Sequence, residues 1–472
     1  MTSANPLFHV SPLPYQLPPF AEIAPEHYEE AHLAGMAEQR REMDAIATDP
    51  AAPTFANTLE AMERTGALLR RTADAFELVA SADKSPELEA IEERLAPLLA
   101  AHDDAIFMDR RLYARIRSLY DARHTLDLDE PSGWLLERYH TEFVRAGAHL
   151  DDAAADRVKA LNTELATLCT DFWNRVRAET KAATVTVTDS AELDGLPADA
   201  LEAARVDGGF AIGLLNMTVQ PALASLTNRA LRERIFRTSI ERCVSGGPND
   251  TREIIASIVT KRAEVAEIMG YPHFAAYQIA DNTARTVDAV SDMLGKLAPA
   301  AVANAAQEAA DLQAVIDASG AGHQVEPWDW AFYSEQVRRE RYGVDEAEIR
   351  PYLELERVLR DGVFFAATKL YGITFTERLD LRGYNDDVRV FEVSEADGAP
   401  LGLYLADYYT RPTKSGGAWM QSLRTPNDID GTLAVVTNNM NITKPPAGQP
   451  TLLTLDEVGT MFHEFGHALH GL

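Results

Sequence analysis

The sequence has 472 residues, of which 46% are hydrophobic and 25% are charged, as is typical of a globular protein with a sizeable core. Its 73 acidic and 44 basic residues give a formal net charge of −29, which argues against nucleic acid and anionic membranes as partners. The N-terminal segment lacks the basic start and long apolar core of a signal peptide. Two cysteines, Cys169 and Cys243, are too few for a disulfide framework, and we expect a cytoplasmic protein.

Most of the chain has the three- and four-residue apolar spacing that is typical of long helices. One such face is formed by Val158, Leu161, Leu165, Leu168, Phe172 and Val176. The same spacing predicts helices near residues 26–46, 55–80, 85–122, 223–243, 251–270, 285–318 and 345–371. The segment SGGPND at 245–250 predicts a break, after which Asn249 or Asp250 can cap the next helix. We place a domain boundary there, between an N-terminal helical region, 1–244, and a second region, 245–472.

Strand patterns appear only late in the sequence. VRVFEV at 388–393 and LGLYLAD at 401–407 flank a turn around Asp397 and Gly398, which predicts a hairpin. TLAVVTN at 432–438 predicts a third strand. The sequence therefore predicts a mainly α protein with a small β-sheet.

The motif with the clearest chemistry is MFHEFGHALHGL near the end of the sequence. His463 and His467 are four residues apart, so on a helix they share one face, roughly 6 Å apart along the axis, and can bind one zinc ion. Glu464 is next to the first ligand and can act on a water molecule without binding the metal. Thr454 and Glu457 fit a capping box, which predicts that this helix begins just after Thr454.

His470 lies on the same stripe as the other two histidines. It stands about 10.5 Å along the axis from His463, so one zinc ion cannot bind all three imidazoles of a straight helix. The pair His463 and His467 is the better candidate because it leaves Glu464 placed for water activation. His470 also occupies a position where the metzincin pattern has glycine, so that pattern fails.

Several segments resemble the thimet oligopeptidase, oligopeptidase A and peptidyl-dipeptidase family of zinc metallopeptidases. The metal-helix approach, VTNNMNITKPPAGQPTLLTLDEVGTMFHEFGHALHGL, carries this resemblance, as do LGLYLADYYTRPTKSGGAWM at 401–420 and NRALRERIFRTSIER at 228–242. EPWDWAFYSEQVRRERYGVDEAEIRPYLELERVL at 326–359 is similar as well. The opening, PLPYQLPPFAEIAPEHYEEAHLAGMAEQ, is most similar to the peptidyl-dipeptidase branch.

The resemblance implies a largely helical enzyme with two lobes around a deep substrate channel, and it makes 245–472 the catalytic region. It implies one zinc ion bound by His463 and His467, with Glu464 as the catalytic base. Short peptides would be the substrates, with no nucleic-acid or membrane partner, and we expect a monomer. The family's third zinc ligand is a glutamate on a following helix. The sequence ends at Leu472, so we expect a truncated catalytic region that is inactive alone.

The expected reaction is hydrolysis of peptide bonds in short oligopeptides, with release of C-terminal dipeptides. An oligopeptidase that makes internal cuts is one alternative. A second alternative is a fragment that binds peptides without cleaving them, and a third is a helical scaffold without metal. An edge strand of the predicted sheet could bind an extended peptide through main-chain hydrogen bonds, although ordinary core strands remain the simpler interpretation.

Overall fold

The computed structural model describes residues 5–343 and 346–472, and it is mainly helical, as the sequence predicts. Its first α-helices are α1 (Pro25–Ala47), α2 (Ala61–Glu63), α3 (Ala67–Ala82), α4 (Pro86–Phe107), α5 (Arg110–Asp121), α6 (Glu130–Ala146), α7 (Asp152–Ala182), α8 (Ala198–Ala203) and α9 (Asn216–Ser225). The later ones are α10 (Arg229–Ile240), α11 (Arg252–Ile268), α12 (Phe274–Ile279), α13 (Val287–Ala318), α14 (Trp330–Tyr342), α15 (Glu346–Ile349), α16 (Leu355–Arg357), α17 (Phe365–Tyr371) and α18 (Leu455–Gly471).

Shorter helical turns connect these helices. The 3₁₀ turns are Pro6–Phe8, Pro14–Gln16, Phe20–Glu22, Arg123–Thr125, Ser190–Leu193, Pro327–Asp329 and Arg350–Tyr352. The π-helical segments Ala56–Glu60 and Val358–Phe364 run directly into α2 and α17. The helices predicted near 26–46, 251–270 and 285–318 are confirmed as α1, α11 and α13. The helix predicted near 345–371 is confirmed from Leu355 to Tyr371, where α16, the π-helical segment Val358–Phe364 and α17 follow one another without a break, and the 3₁₀ turn Arg350–Tyr352 precedes it.

Local capping residues divide three of the other predicted helices. Gly66, at φ +68°, stands between α2 and α3 within the predicted helix at 55–80. The Asp109 carboxylate accepts hydrogen bonds from the backbone of Arg111 and Leu112, and so begins α5 inside 85–122. Asn228 likewise begins α10. The apolar spacing continues across these caps, which is why the sequence pattern merges neighbouring helices.

The break at 245–250 is confirmed as the connection between α10 and α11. The Asp250 carboxylate accepts a hydrogen bond from the backbone N–H of Arg252, although the capping position itself belongs to Thr251. The division of the chain into regions 1–244 and 245–472 stays a prediction.

Within residues 5–343 and 346–472, the strands form two sheets. The strands are β1 (Val185–Val187), β2 (Arg205–Val206), β3 (Gly209–Ile212), β4 (Thr374–Glu377), β5 (Arg389–Ser394), β6 (Pro400–Tyr409), β7 (Trp419–Arg424) and β8 (Ala434–Ile442). The small sheet has the order β1-β3-β2, and the larger one has the order β4-β5-β6-β8-β7. The hairpin of β5 and β6 is antiparallel, as predicted. The predicted third strand is β8, which pairs parallel to β6 and antiparallel to β7.

The larger sheet is covered on both faces, and its strand β8 is buried along its whole length. On one face, Leu405 and Val435 pack with side chains from α1, α3 and α4. On the other face, Tyr404 and Val436 pack with Phe465 of α18 and with side chains from α16 and α17. Because strand side chains alternate between faces, the same two strands serve both cores. The helix that carries the histidine motif therefore lies directly on a buried sheet.

Among residues 5–343 and 346–472, no helix has the length and apolar character needed to cross a membrane.

Candidate active site

Helix α18 begins at the capping box that the sequence predicts. The Thr454 hydroxyl accepts a hydrogen bond from the backbone N–H of Glu457 at 3.1 Å. The Glu457 carboxylate accepts one from the backbone N–H of Thr454 at 2.8 Å. These two bonds satisfy amides that have no partner within the helix, and the negative charges of Asp456 and Glu457 suit the positive end of the helix dipole.

Only some of the apolar residues of α18 are buried against the sheet. Met461, Phe465 and Ala468 are buried against the sheet. The apolar residues Leu455 and Phe462 of the same helix lie outside this face and are 42% and 41% exposed. Each residue turns the helix by about 100°, so Phe462 points well away from the stripe that Met461 and Phe465 define.

The end of α18 lies close to two strands of the sheet. A Cβ atom added to Gly471 would stand 2.2 Å from Met420 Cε on β7 and 2.9 Å from Val436 Cγ1 on β8. Because no real side-chain carbon approaches so closely, glycine at this position allows the helix to approach the sheet. The sheet therefore holds the part of the helix that follows the two histidines.

The two predicted metal ligands meet on the exposed face of α18. The Nε2 atoms of His463 and His467 are 3.2 Å apart, and their ring centroids are separated by 4.8 Å. Both side chains are exposed, as is that of His470 one turn further on. The i, i+4 spacing thus brings the imidazoles together as the sequence predicts.

Glu464 points differently, towards the sheet, and only 7% of it is exposed. Its backbone carbonyl accepts a hydrogen bond from the side-chain amide of Asn438 at 2.7 Å. The phenol of Tyr404 is close enough to be affected by the Glu464 charge. Burial above all raises the pKa of Tyr404 well above its ordinary value, its hydroxyl contact with Tyr408 adds to this, and Glu464 contributes.

The described residues contain no arrangement of three or more His, Cys, Asp or Glu side chains that could hold a metal ion. Among the described residues, the two imidazoles are therefore the zinc ligands that can be named. Two tetrahedral ligands at about 2.0–2.1 Å from one zinc ion lie roughly 3.3 Å from each other, which fits the observed 3.2 Å. His463 and His467 thus fit zinc as a pair.

Sequence reasoning missed Asn438 and Tyr404, which contact or surround Glu464 from the sheet. The signal for Asn438 is a polar residue in a strand whose neighbours on the same face are apolar. Tyr404 carries no comparable signal, because a tyrosine in a predicted strand is ordinary. The sequence alone also does not indicate that these strands pack beneath the helix.

Two cavities in the structure lie elsewhere. Each has a volume of about 280 Å³; the first is formed by α4, α6, α7, α11 and α12, and the second by α1, α2, α3, α4 and α6. One is lined by Asp104, Arg145 and Tyr277 among others, and the second by Met62 and Tyr139 among others. Neither of these two cavities is lined by α18 or by the larger sheet, and the histidine face of α18 is exposed.

Comparison with known proteins gives the class and then the family. The chain is 43% identical over 479 residues to the dipeptidyl carboxypeptidase of Escherichia coli, an alignment that covers 100% of this chain and 70% of that protein. It is equally identical to the dipeptidyl carboxypeptidase of Salmonella typhimurium, with the same coverage. Oligopeptidase A of Escherichia coli is 31% identical, over 99% of this chain and 70% of that protein. These relatives place the chain among the peptidases.

The model of peptidase family M3 matches residues 222–472. The chain belongs to this family, and the resemblance seen in the sequence is confirmed. The higher identity to dipeptidyl carboxypeptidase than to oligopeptidase A agrees with the predicted branch.

Proposed function

We propose that this protein takes part in zinc-dependent hydrolysis of short oligopeptides and releases dipeptides from their C-termini. The observation that carries the proposal is the convergence of the His463 and His467 Nε2 atoms to 3.2 Å, on the helical turn that also carries Glu464 on its buried side. Family membership and 43% identity to proteins named dipeptidyl carboxypeptidase support the choice of reaction. We further propose a monomer in the cytoplasm, which stays a prediction.

In this proposal His463 and His467 hold the zinc ion through Nε2. Bound there, zinc would polarise the scissile carbonyl and lower the pKa of a water molecule. The same 3.2 Å separation also suits a hydrogen bond between a protonated and an unprotonated ring nitrogen, so metal titration is needed to choose between the two.

Glu464 is proposed to take the proton of the attacking water and to deliver it to the leaving amine. Glu464 is the next residue after His463, and its helix packs with its buried side against the larger sheet. Strand β7 is at the edge of the sheet, next to the end of α18. Its main-chain groups are proposed to hold an extended peptide near the histidines, as the alternative to the simpler interpretation of an ordinary core strand.

The role of Glu464 is tested by the substitution Glu464→Gln in a form of the enzyme with measurable activity. We expect unchanged zinc content and a loss of about 10²–10⁴ in kcat, because the amide cannot accept the proton. Zinc content by elemental analysis and kcat on a peptide substrate are the two measurements. Near-normal turnover by this variant would refute the assignment, and Asp456→Asn, on the first turn of the same helix, is the control.

The cleavage pattern is tested with a ten-residue peptide followed by mass spectrometry. We expect successive losses of two residues from the C-terminus and no cleavage of a folded protein. Blocking the C-terminal carboxylate as an amide provides a control for recognition of that end. Internal cuts without successive dipeptide losses would favour the alternative, an oligopeptidase.

We also propose that residues 1–472 alone bind zinc weakly and show little peptidase activity. Zinc sites in proteins generally use at least three protein ligands, and His463 and His467 are the two that can be named among the described residues. In this form the chain would bind peptides without cleaving them efficiently.

A further inference from the structure

Strand β8 carries one polar side chain among apolar ones on the face that meets α18. Side chains alternate along a strand, so Ala434, Val436, Asn438, Met440 and Ile442 share this face. Val436, Met440 and Ile442 belong to the apolar core beneath α18. Asn438 is 1% exposed, and it lies in the middle of this row.

The Asn438 amide is used for a contact with the motif helix. Its Nδ2 donates a 2.7 Å hydrogen bond to the backbone carbonyl of Glu464. Because that carbonyl can only accept a hydrogen bond, the NH₂ end of the Asn438 amide, and not its oxygen, faces the helix. The bond joins the centre of the buried strand to the residue between the two histidines, at the turn where their imidazoles converge.

Packing alone does not account for this residue. Asn438 Oδ1 is buried and has no hydrogen-bond partner among the residues that the structure describes, and an unpaired buried oxygen is destabilising. An apolar side chain of similar size would fill the same space without this cost. The amide is therefore better explained by the single bond that it gives to the helix.

We propose that Asn438 is a positioning residue that fixes the rotation and height of α18 on the sheet. It acts through the Glu464 backbone and sets where His463, Glu464 and His467 stand relative to edge strand β7. Apolar contacts of Phe465 and Ala468 hold the helix on the sheet but permit small slides and rotations, whereas a directional hydrogen bond does not. The effect of Asn438 on activity rests on the proposed function, because it concerns the geometry of the two histidines that are proposed to bind zinc.

The test compares Asn438→Leu with Met440→Leu, a volume-conserving change at a buried position on the same strand face. Hydrogen exchange of α18 is measured in the metal-free chain. Cobalt(II), whose absorption spectrum reports ligand geometry, is then titrated into each variant. In Asn438→Leu we expect α18 amides to exchange about tenfold faster, cobalt affinity to fall about tenfold and the cobalt spectrum to change, while the thermal midpoint is unchanged or higher. Met440→Leu should stay within about twofold of the parent in exchange rate and in cobalt affinity, with an unchanged cobalt spectrum.

Asn438→Ala provides a second variant, which cannot donate the bond and buries no charge, and it decides the matter if Asn438→Leu does not fold. Exchange and cobalt affinity within twofold of the Met440→Leu control would overturn the proposal. So would faster exchange with an unchanged cobalt affinity and spectrum, because Asn438 would then only stabilise the helix. If the parent chain binds no cobalt, the proposed function fails, and hydrogen exchange alone still decides whether Asn438 anchors α18.

Discussion

At the scale of single residues, one helical turn carries side chains with two different environments. His463 and His467 face outwards, while Glu464, one residue from the first histidine, is buried against the sheet. A rotation of about 100° per residue produces this difference. The imidazoles are therefore open to a metal ion and to substrate, whereas Glu464 is largely removed from solvent.

This geometry predicts how zinc affinity responds to single histidine substitutions. In the 472-residue chain, His463→Ala should lower zinc affinity by at least about tenfold, because it removes one of two converging nitrogens. His470→Ala is the matched control and should change it by less than about twofold, because His470 stands too far along the axis from His463. Isothermal titration with zinc measures both. Equal losses in the two variants, or tight one-to-one binding with robust turnover, would mean that the assigned ligand set is wrong.

At the scale of elements, α18 depends on its cap as well as on its contacts with the sheet. The reciprocal bonds of Thr454 and Glu457 organise the first turn, and Gly471 lets the last turn approach β7 and β8. Between these ends, the Asn438 bond and the apolar stripe fix the middle of the helix. The histidine pair lies between these points of attachment.

Removing the cap should loosen the first turns of α18 without unfolding the chain. Thr454→Ala is expected to cost the helix about 1 kcal/mol, which corresponds to about fivefold faster hydrogen exchange in 455–465. Thr460→Ala, in the interior of the same helix, is the control and should not accelerate exchange, because alanine is the better helix former there. Exchange followed by mass spectrometry measures the difference. Equal rates in both variants would show that the sheet contacts alone hold the helix.

At the scale of the whole molecule, a buried ion cluster ties α10 to the start of α14. Asp329 is fully buried and accepts hydrogen bonds from Arg229 and from Arg232, itself only 1% exposed. Burial by itself raises the pKa of Asp329, but the hydrogen bonds from the two arginines outweigh it and hold this pKa below the ordinary value. Both charges of the Arg232–Asp329 pair are removed from water, so each needs the other.

This cluster predicts a pH dependence. Because the folded-state pKa of Asp329 is below its unfolded value of about 3.9, its contribution to stability is present above that pH and is lost as pH falls through the folded-state pKa. Asp329→Asn should lower the free energy of unfolding by about 3–5 kcal/mol at pH 7, because Arg232 is left without its buried partner, and by less at pH 3. Asp292→Asn, at an exposed position, should change it by less than about 0.5 kcal/mol. Denaturant unfolding at the two pH values measures both, and a pH-independent effect of Asp329→Asn would contradict this account.

The sequence alone determined the features that depend on neighbours along the chain. The spacing of His463 and His467, the cap at Thr454 and the hairpin of β5 and β6 could all be predicted, because helical rotation, capping and turns are local. The family resemblance could be predicted as well, because several motifs agree with it. The caps at Asp109 and Asn228 were present in the sequence, but the continuing apolar spacing concealed them.

Only the tertiary structure decided which residues surround the motif. The parallel pairing of β6 with β8, the burial of Glu464 and the exposure of Phe462 all depend on contacts between distant segments. The bond from Asn438 to the Glu464 carbonyl spans 26 residues, and no periodic pattern along the chain encodes it. A sequence pattern reports which side chains share a face, whereas the partner of that face is chosen by packing among all elements of the fold.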